Sequence, residues 1–444
     1  MAVSAARSAA FEILLKVERE GAYASELLHS ASLAKLSARD HGLATELVMG
    51  VLRWQSVLDD RLAVASSQKL ERLDFEVLAA LRLGVYQLQF LTRVPARAAI
   101  FESVELVKAA RKRSAASFVN GVLRKAATPA ADPSARIVES VDVDALARNA
   151  AHPAWLVTRW AAQFGFEAAR QICGHDQTVP DTAIHLHNSE SEAELAAAGV
   201  QFAPGKMVSA ARRVIAGDVT TSRAYVEGRV AIQDEGSQLV ALLASGGEMI
   251  LDCCAAPGGK TSLLARRDSR ARVFATELHP HRARLLRSLS RLPNVHVVAA
   301  DARHLPFSTS FDRILVDVPC SGTGTLARNP EIKWRLKAED LLDLQARQLD
   351  ILKSALARLA PTGRLVYSTC SLEREENEAV VEAALGGATN FKIVDCREEL
   401  DRLRRSGEVC WNGAATLLTG PYVRTIPGVH PCDGFFAAII ERGN

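Results

Sequence analysis

From residue 249 onward, short runs of apolar and β-branched residues alternate with helical stretches: Met249 to Leu251, Arg272 to Thr276, Val295 to Ala299, Arg313 to Val316 and Arg364 to Tyr367. A strand that returns parallel to its neighbour needs a crossover, and the intervening helical stretches supply one each time. The alternation therefore predicts an α/β region with a doubly wound, mainly parallel sheet. In such sheets ligands bind at the carboxyl ends of the strands. The chemistry is to be sought there.

The first part of the chain reads differently. From Ala5 to about Lys125 apolar residues recur at helical spacing, as in Phe11, Leu14, Leu15 and Val17, or Val77, Leu78, Leu81, Val85 and Leu88, with breaks near Gly21 and at Val94-Pro95. This predicts an all-α domain. Ala126 to Ala135, rich in Pro, Ala and Ser, reads as a linker. Beyond it, a helical stretch from Pro153 to Ile172 and strand-like runs at Ala183 to Leu186 and Arg213 to Ile215 predict a small α+β region. The expected domains are 1–135, 136–235 and 236–444. A chain of 444 residues is long enough for several, since single cores rarely grow past roughly 250 to 300 residues.

With 48% hydrophobic and 24% charged residues, the composition excludes a disordered chain, and no unbroken apolar run is long enough for a membrane span. Residues 1–16 lack the basic, apolar and small-residue order of a signal peptide, so a cytoplasmic location and no membrane partner are expected. Eight cysteines are too sparse for a disulfide scaffold, and no C-x-x-C pair or His-rich cluster points to a metal. A net charge of +3 says little about nucleic acid, because phosphate affinity comes from clustered bases. Lys108, Arg111, Lys112, Arg113, Arg124 and Lys125 form the densest cluster, readable as a solvated helix face or as an RNA-contacting one.

Asp252-Cys253-Cys254-Ala255-Ala256-Pro257-Gly258-Gly259-Lys260-Thr261 follows the first predicted strand and opens a helix. Its glycines let the backbone approach a ligand, and the helix start supplies unpaired N–H groups. Lys260 and Thr261 end the string as in a phosphate loop, but the G-x-x-x-x-G-K spacing fails because position 254 is Cys254. Glu277, after the second strand, can accept hydrogen bonds from a ribose diol, and Asp301, after the third, stands where an adenine amino group is read. The three signals together imply an adenosine-type cofactor.

Two cysteines close the set. Asp317-Val318-Pro319-Cys320-Ser321-Gly322 follows the fourth strand and Ser368-Thr369-Cys370-Ser371 the fifth, so both thiols are expected in the cofactor crevice. Cys173, Cys253, Cys396, Cys410 and Cys432 are expected to be small buried hydrophobes.

These strings, with Val230-Ala231-Ile232-Gln233-Asp234-Glu235-Gly236-Ser237-Gln238 and Asp433-Gly434-Phe435-Phe436, resemble the bacterial 16S ribosomal RNA cytosine-C5 methyltransferases of the Sun/Fmu (RsmB-like) family. Phe118-Val119-Asn120-Gly121-Val122-Leu123-Arg124 resembles the end of a NusB-like helical domain, so the likeness spans nearly the whole chain. The resemblance implies a NusB-like all-α N-terminal domain and a Rossmann-like class I methyltransferase domain using S-adenosyl-L-methionine. It also implies that Cys370 is the nucleophile and Cys320 promotes product release. Cys254, Ala255, Ala256, Pro257, Gly258, Gly259, Lys260, Glu277, Asp301 and Asp317 would surround the cofactor, with Arg282 a neighbour. The family often has aspartate where Glu277 stands and alanine where Val318 stands; neither change removes a reactive atom.

The chemistry explains the need for thiols. Cytosine C5 is a poor nucleophile, and thiolate addition to C6 turns the ring into an enamine whose C5 attacks a methyl sulfonium. Asp317 could bond the cytosine N3 and amino edge, and Lys260 could support the reacting groups. Read without the RNA family, the Pro319-Cys320 pair would be chosen as nucleophile, because DNA cytosine-C5 methyltransferases use a Pro-Cys cysteine. The expected partner is RNA, 16S rRNA first, and the chain is expected to act as a monomer. Transfer RNA is the nearest rival substrate, and a non-catalytic RNA-binding or antitermination-like factor is a rival of another class.

Overall fold

The computed structural model describes residues 3–30, 33–127, 133–387 and 390–443. The chain divides into two compact units: residues 1–179 with Leu326–Arg335, and residues 180–325 with 336–444. The expected 136–235 segment is shared between them, its helices up to Asp176 going to the first unit and its strands, with helices Ser189–Ala197 and Arg223–Val226, to the second. Half of the predicted linker, 128–132, lies outside the described residues.

The first unit is helical. Its helix Ala5–Glu20 buries Phe11, Ile13, Leu14 and Val17 and stops at Gly21, whose φ of 65° is the left-handed conformation glycine adopts without strain. Helix Phe75–Phe90 is buried over most of its circumference, and the next helix, Ala96–Ala109, starts directly after Pro95. The stretch expected from Pro153 to Ile172 is two helices, Ala154–Phe164 and Phe166–Asp176, because Gly165 takes φ 87° between them.

Leu326–Arg335 is sewn into this unit through helix ends. Lys333 Nζ and Trp334 Nε1 donate to the Arg53 and Leu52 carbonyls, at 2.8 and 2.6 Å, closing the last turn of helix Ala38–Arg53. Arg335 donates to the Gly21 and Ala22 carbonyls after the first helix, and the Glu331 carboxylate accepts the Ala24 N–H that opens helix Ala24–Leu28. Terminal N–H and C=O groups have no partner within their own helix, and these side chains supply one.

The second unit carries two sheets. β1 (Thr182–Leu186), β2 (Gln201–Pro204), β3 (Ala211–Ala216) and β4 (Val230–Ile232) form an antiparallel sheet in the order β2-β3-β1-β4, over a core of Ile184, Leu186, Leu195, Val200 and Val230. The larger sheet contains β5 (Met249–Asp252), β6 (Arg272–Glu277), β7 (Val295–Ala299), β8 (Phe311–Asp317), β9 (Leu359–Thr369), β10 (Phe391–Val394), β11 (Leu418–Thr419), β12 (Tyr422–Arg424) and β13 (Phe436–Arg442). Its order is β11-β12-β13-β9-β8-β5-β6-β7, with β10 also paired to β13. β5 to β9 are parallel and β10 to β13 antiparallel, so the five predicted strands form the parallel part of a Rossmann-like sheet.

Both faces are covered. Ile250, Val273, Leu315 and Val366 pack with helices Glu235–Leu243 and Gly259–Arg267, while Leu251, Ile314, Val316 and Tyr367 pack with helices Asp340–Leu356 and Glu378–Leu385. Each fully buried side chain of this size contributes about 1.5–3 kcal/mol. Continuous apolar runs are what a sheet buried on both sides requires. The direction of winding reverses between β5 and β8, and the loops after these strands open a crevice at that point.

Candidate active site

The loop after β5 is shaped by burial and small residues. Asp252 accepts a hydrogen bond from Thr261 Oγ1 at 2.7 Å, and burial pushes its carboxyl up to about 7 despite that bond. Gly258 has φ 113°, and a Cβ there would lie 2.4 Å from Leu286 Cδ1. Only glycine fits. Burial first, then the carboxylates of Asp252, Asp317, Glu277 and Asp301, hold Cys254 as a neutral thiol. One sulfur thus senses four acids from the ends of four adjacent strands.

Glu277 ends β6 almost fully buried, with Oε1 accepting the His279 N–H at 3.0 Å. Asp301 caps the turn after β7, where the Arg303 guanidinium bonds both its oxygens and keeps its carboxyl below the usual range. Arg282 is exposed on the first turn of helix Pro280–Ser290.

Lys260 and Asp317 form an ion pair of 2.8 Å, and Ser368 Oγ donates to the other Asp317 oxygen at 2.6 Å. Burial works against the Lys260 charge, but Asp317, Cys370 and Asp252 outweigh it and raise its pKa. The ammonium stands 5.3 Å from the centre of the Phe435 ring, within cation–π range.

Cys320 Sγ and Cys370 Sγ are 3.3 Å apart, although 50 residues separate them in the chain. The hydrogen bond with Cys370, followed by burial, raises the Cys320 thiol well above its usual range. Gly324 locks their loops together. Its N–H donates to the Cys370 carbonyl at 2.9 Å, its own carbonyl accepts the Gly434 N–H at 2.8 Å, and a Cβ would fall 2.3 Å from the Gly434 oxygen.

The structure therefore gathers Lys260, Asp317, Cys320 and Cys370 in one crevice, beside the loop 254–260, Glu277 and Asp301. Cys173, Cys253, Cys396 and Cys432 are buried as expected, but Cys410 is exposed. The reason is local: Val409 bridges to Val208 and is buried, so its neighbour turns outward. Among the described residues no group of three or more His, Cys, Asp or Glu side chains could hold a metal ion. No helix among them is long and apolar enough to cross a membrane.

Sequence reasoning missed several neighbours. Gln233, within the Ile-Gln-Asp-Glu-Gly string, is buried beside Gly259 with its Oε1 lacking a hydrogen-bond partner. Glu376 accepts hydrogen bonds from Ser321 and Ser371. The repeated Cys-Ser pair, 320–321 and 370–371, was the available signal.

Sequence comparison decides the family. The profile described as "16S rRNA methyltransferase RsmB/F" matches residues 239–441, and the NusB family profile matches residues 4–128. The chain is 36% identical over 407 residues to the Bacillus subtilis protein named "Probable ribosomal RNA small subunit methyltransferase B", covering 88% of this chain and 90% of that one. It is 30% identical over 451 residues to the Vibrio cholerae "Ribosomal RNA small subunit methyltransferase B", covering 98% and 97%. The chain belongs to the RsmB/F family of 16S rRNA methyltransferases.

This RsmB/F-family chain is an S-adenosylmethionine-dependent methyltransferase with a NusB-like helical N-terminal domain. Solved structures share the fold: PH0851 superimposes with a TM-score of 0.77 at 23% identity, over 98% of both chains. A methyltransferase homologue from Pyrococcus horikoshii gives 0.56 at 26% identity, covering 69% of this chain and all of that one. The cofactor's donors and acceptors fit the crevice. Acids at the ends of successive strands suit a ribose diol and an amino group, and the unpartnered Gln233 oxygen suits an ammonium.

Proposed function

We propose that this chain methylates C5 of a cytosine in 16S rRNA in the cytoplasm, with Cys370 as nucleophile and Cys320 as the group that promotes release. The observation that carries the reading is the pair of sulfurs 3.3 Å apart beside an acid-lined cofactor loop. Two thiols in one crevice suit covalent pyrimidine chemistry.

Glu277, Asp301 and the loop 254–260 would hold S-adenosylmethionine, with Asp317 and Arg282 beside it. When bound, that cofactor supplies an electrophilic methyl group. Cys370 adds as thiolate to C6 of a cytosine taken out of its stack, and the electron density that leaves the C5–C6 double bond makes C5 the nucleophile. Asp317, held by Lys260 and Ser368, faces the N3 and amino edge of the ring, while the Lys260 cation steadies charge near Cys370. After transfer C5 gives its proton to solvent, the C5–C6 double bond re-forms, and the C6–S bond breaks. The Cys320 thiol, still protonated, hydrogen-bonds the departing sulfur.

The division of labour proposed is RNA holding by 1–135 and 136–235 and catalysis by 236–444. Arg111, Arg113, Arg124 and Lys125 are exposed on the helical unit and form the candidate contact face. Reversing these four charges should weaken 16S rRNA binding severalfold and flatten its salt dependence; unchanged affinity would remove them from the interface.

The catalytic test uses wild type, Cys370→Ala and Cys320→Ala with rRNA and S-adenosylmethionine, followed by a denaturing gel. Cys320→Ala should accumulate protein covalently bound to RNA, and Cys370→Ala should neither turn over nor trap it. Adduct in Cys370→Ala alone reverses the roles. Transfer to tRNA in preference to 16S rRNA would move the substrate assignment.

A further inference from the structure

Cys320 and Cys370 are carried by loops from different strands, and no covalent link sets their distance. Each is followed by a serine, and Ser321 Oγ lies 3.0 Å from Ser371 Oγ. Both hydroxyls donate to the same oxygen, Glu376 Oε2, the Ser371 bond measuring 2.5 Å. Glu376 Oε1 accepts the Ser321 backbone N–H and Gln348 Nε2, each at 2.8 Å, and Gln348 also donates to the Pro319 carbonyl at 3.0 Å.

Glu376 is completely buried, and among the described residues its carboxylate is met only by these uncharged donors. Burying a carboxylate without a cation is expensive, and its several hydrogen bonds offset that cost only while both loops stay in place. Its backbone is fixed as well, since Tyr367 Oη donates to the Glu376 carbonyl at 2.6 Å. An apolar side chain of similar volume could fill the space, but it could not bond the residue after each cysteine.

We propose that Glu376 is a positioning residue of the reaction: by gripping Ser321 and Ser371 with one carboxylate, it holds Cys320 against Cys370 so that the adduct is released. This rests on the covalent reading of the site and deepens it. The negative charge of Glu376 also helps keep Cys320 a thiol, after the Cys370 hydrogen bond and burial have acted in the same direction.

The test adds Glu376→Gln and the double variant Ser321→Ala/Ser371→Ala to the gel and to single-turnover methyl transfer, using the full chain. Glu376→Gln cannot accept the Ser321 N–H and the two hydroxyls as the carboxylate does. It should lower turnover at saturating RNA and cofactor by at least about tenfold, with the KM for S-adenosylmethionine unchanged and adduct rising towards the Cys320→Ala level. The serine variant, which keeps Glu376, should move the same way. It decides the matter if Glu376→Gln does not fold.

Turnover at the wild-type rate, or slow turnover without adduct, would overturn the proposal, because a merely structural loss has no reason to stall release. If wild type makes no 5-methylcytosine and Cys320→Ala traps nothing, the covalent reading fails and this inference falls with it. If those controls behave and the Glu376 and serine variants match wild type, this inference alone fails.

Discussion

Two lysines, one in each unit, have been taken out of water with opposite results. Lys260 meets the Asp317 carboxylate at 2.8 Å, and its pKa is raised. Lys333 is 1% exposed, among the described residues its ammonium hydrogen-bonds only the Arg53 carbonyl, at 2.8 Å, and burial pulls its pKa down to about 7. Asp176 and Cys173 favour the Lys333 charge but do not compensate for the lost water. Burial alone thus marks neither lysine as catalytic. What separates them is a carboxylate that can repay desolvation, and Lys260 has one beside the two thiols.

The strongest way to break this contrast is Lys260→Met. It strands the Asp317 carboxylate and removes the cation near Cys370, so methyl transfer at saturating cofactor should fall by about 100- to 1000-fold. A drop smaller than about tenfold in single-turnover rate would make Lys260 as dispensable as Lys333.

The second test is pH. Between about 7 and the ordinary lysine value of 10.5, the unfolded chain binds a proton at Lys333 that the folded chain does not. Lys333 therefore makes the helical unit more stable as pH rises through that window, by at most about 1.4 kcal/mol per pH unit. In Lys333→Met that slope should vanish from urea unfolding followed at successive pH values, while methyl transfer stays within about twofold of wild type.

Asp252 should give the smallest effect and the opposite slope. Its folded pKa of about 7 lies above the ordinary 3.8, so its contribution to stability is fully present below about pH 4 and is lost as pH rises to 7. Asp252→Asn keeps an acceptor for Thr261 and should flatten the curve between these values, with little change in the unfolding midpoint below about pH 4.

Much of this site was legible in the sequence, and the legible part has a common cause. Parallel strands buried on both faces must be apolar, so β5, β6, β8 and β9 stand out as runs, the half-exposed edge strand β7 stands out by its β-branched valines, and the residues just beyond each run fall in the crevice by topology. The run at Val295–Ala299 matches its strand end for end, while the run read as Arg364 to Tyr367 belongs to the longer Leu359–Thr369. Glu376 and Gln348 were not legible. A glutamate five residues past a serine in the turn after β9, and a glutamine inside a helix, have no periodicity that reveals a shared partner; only the folded loops bring them together. Leu326–Arg335 was hidden for another reason. Nothing in Pro330-Glu331-Ile332-Lys333-Trp334 tells a reader that its polar groups complete helix ends more than 270 residues earlier.

That segment bears on how the chain is made. Translation delivers residues 1–179 well before 326–335, so a nascent helical unit has no Lys333 or Arg335 for the carbonyls that end its helices and no Glu331 for the N–H of Ala24. The unit is completed only after the ribosome has also made Cys320 and the cofactor loop. A transcript truncated in the sheet would yield a helical domain with loose ends, and a gene fragment designed to express that domain alone must restore residues 326–335.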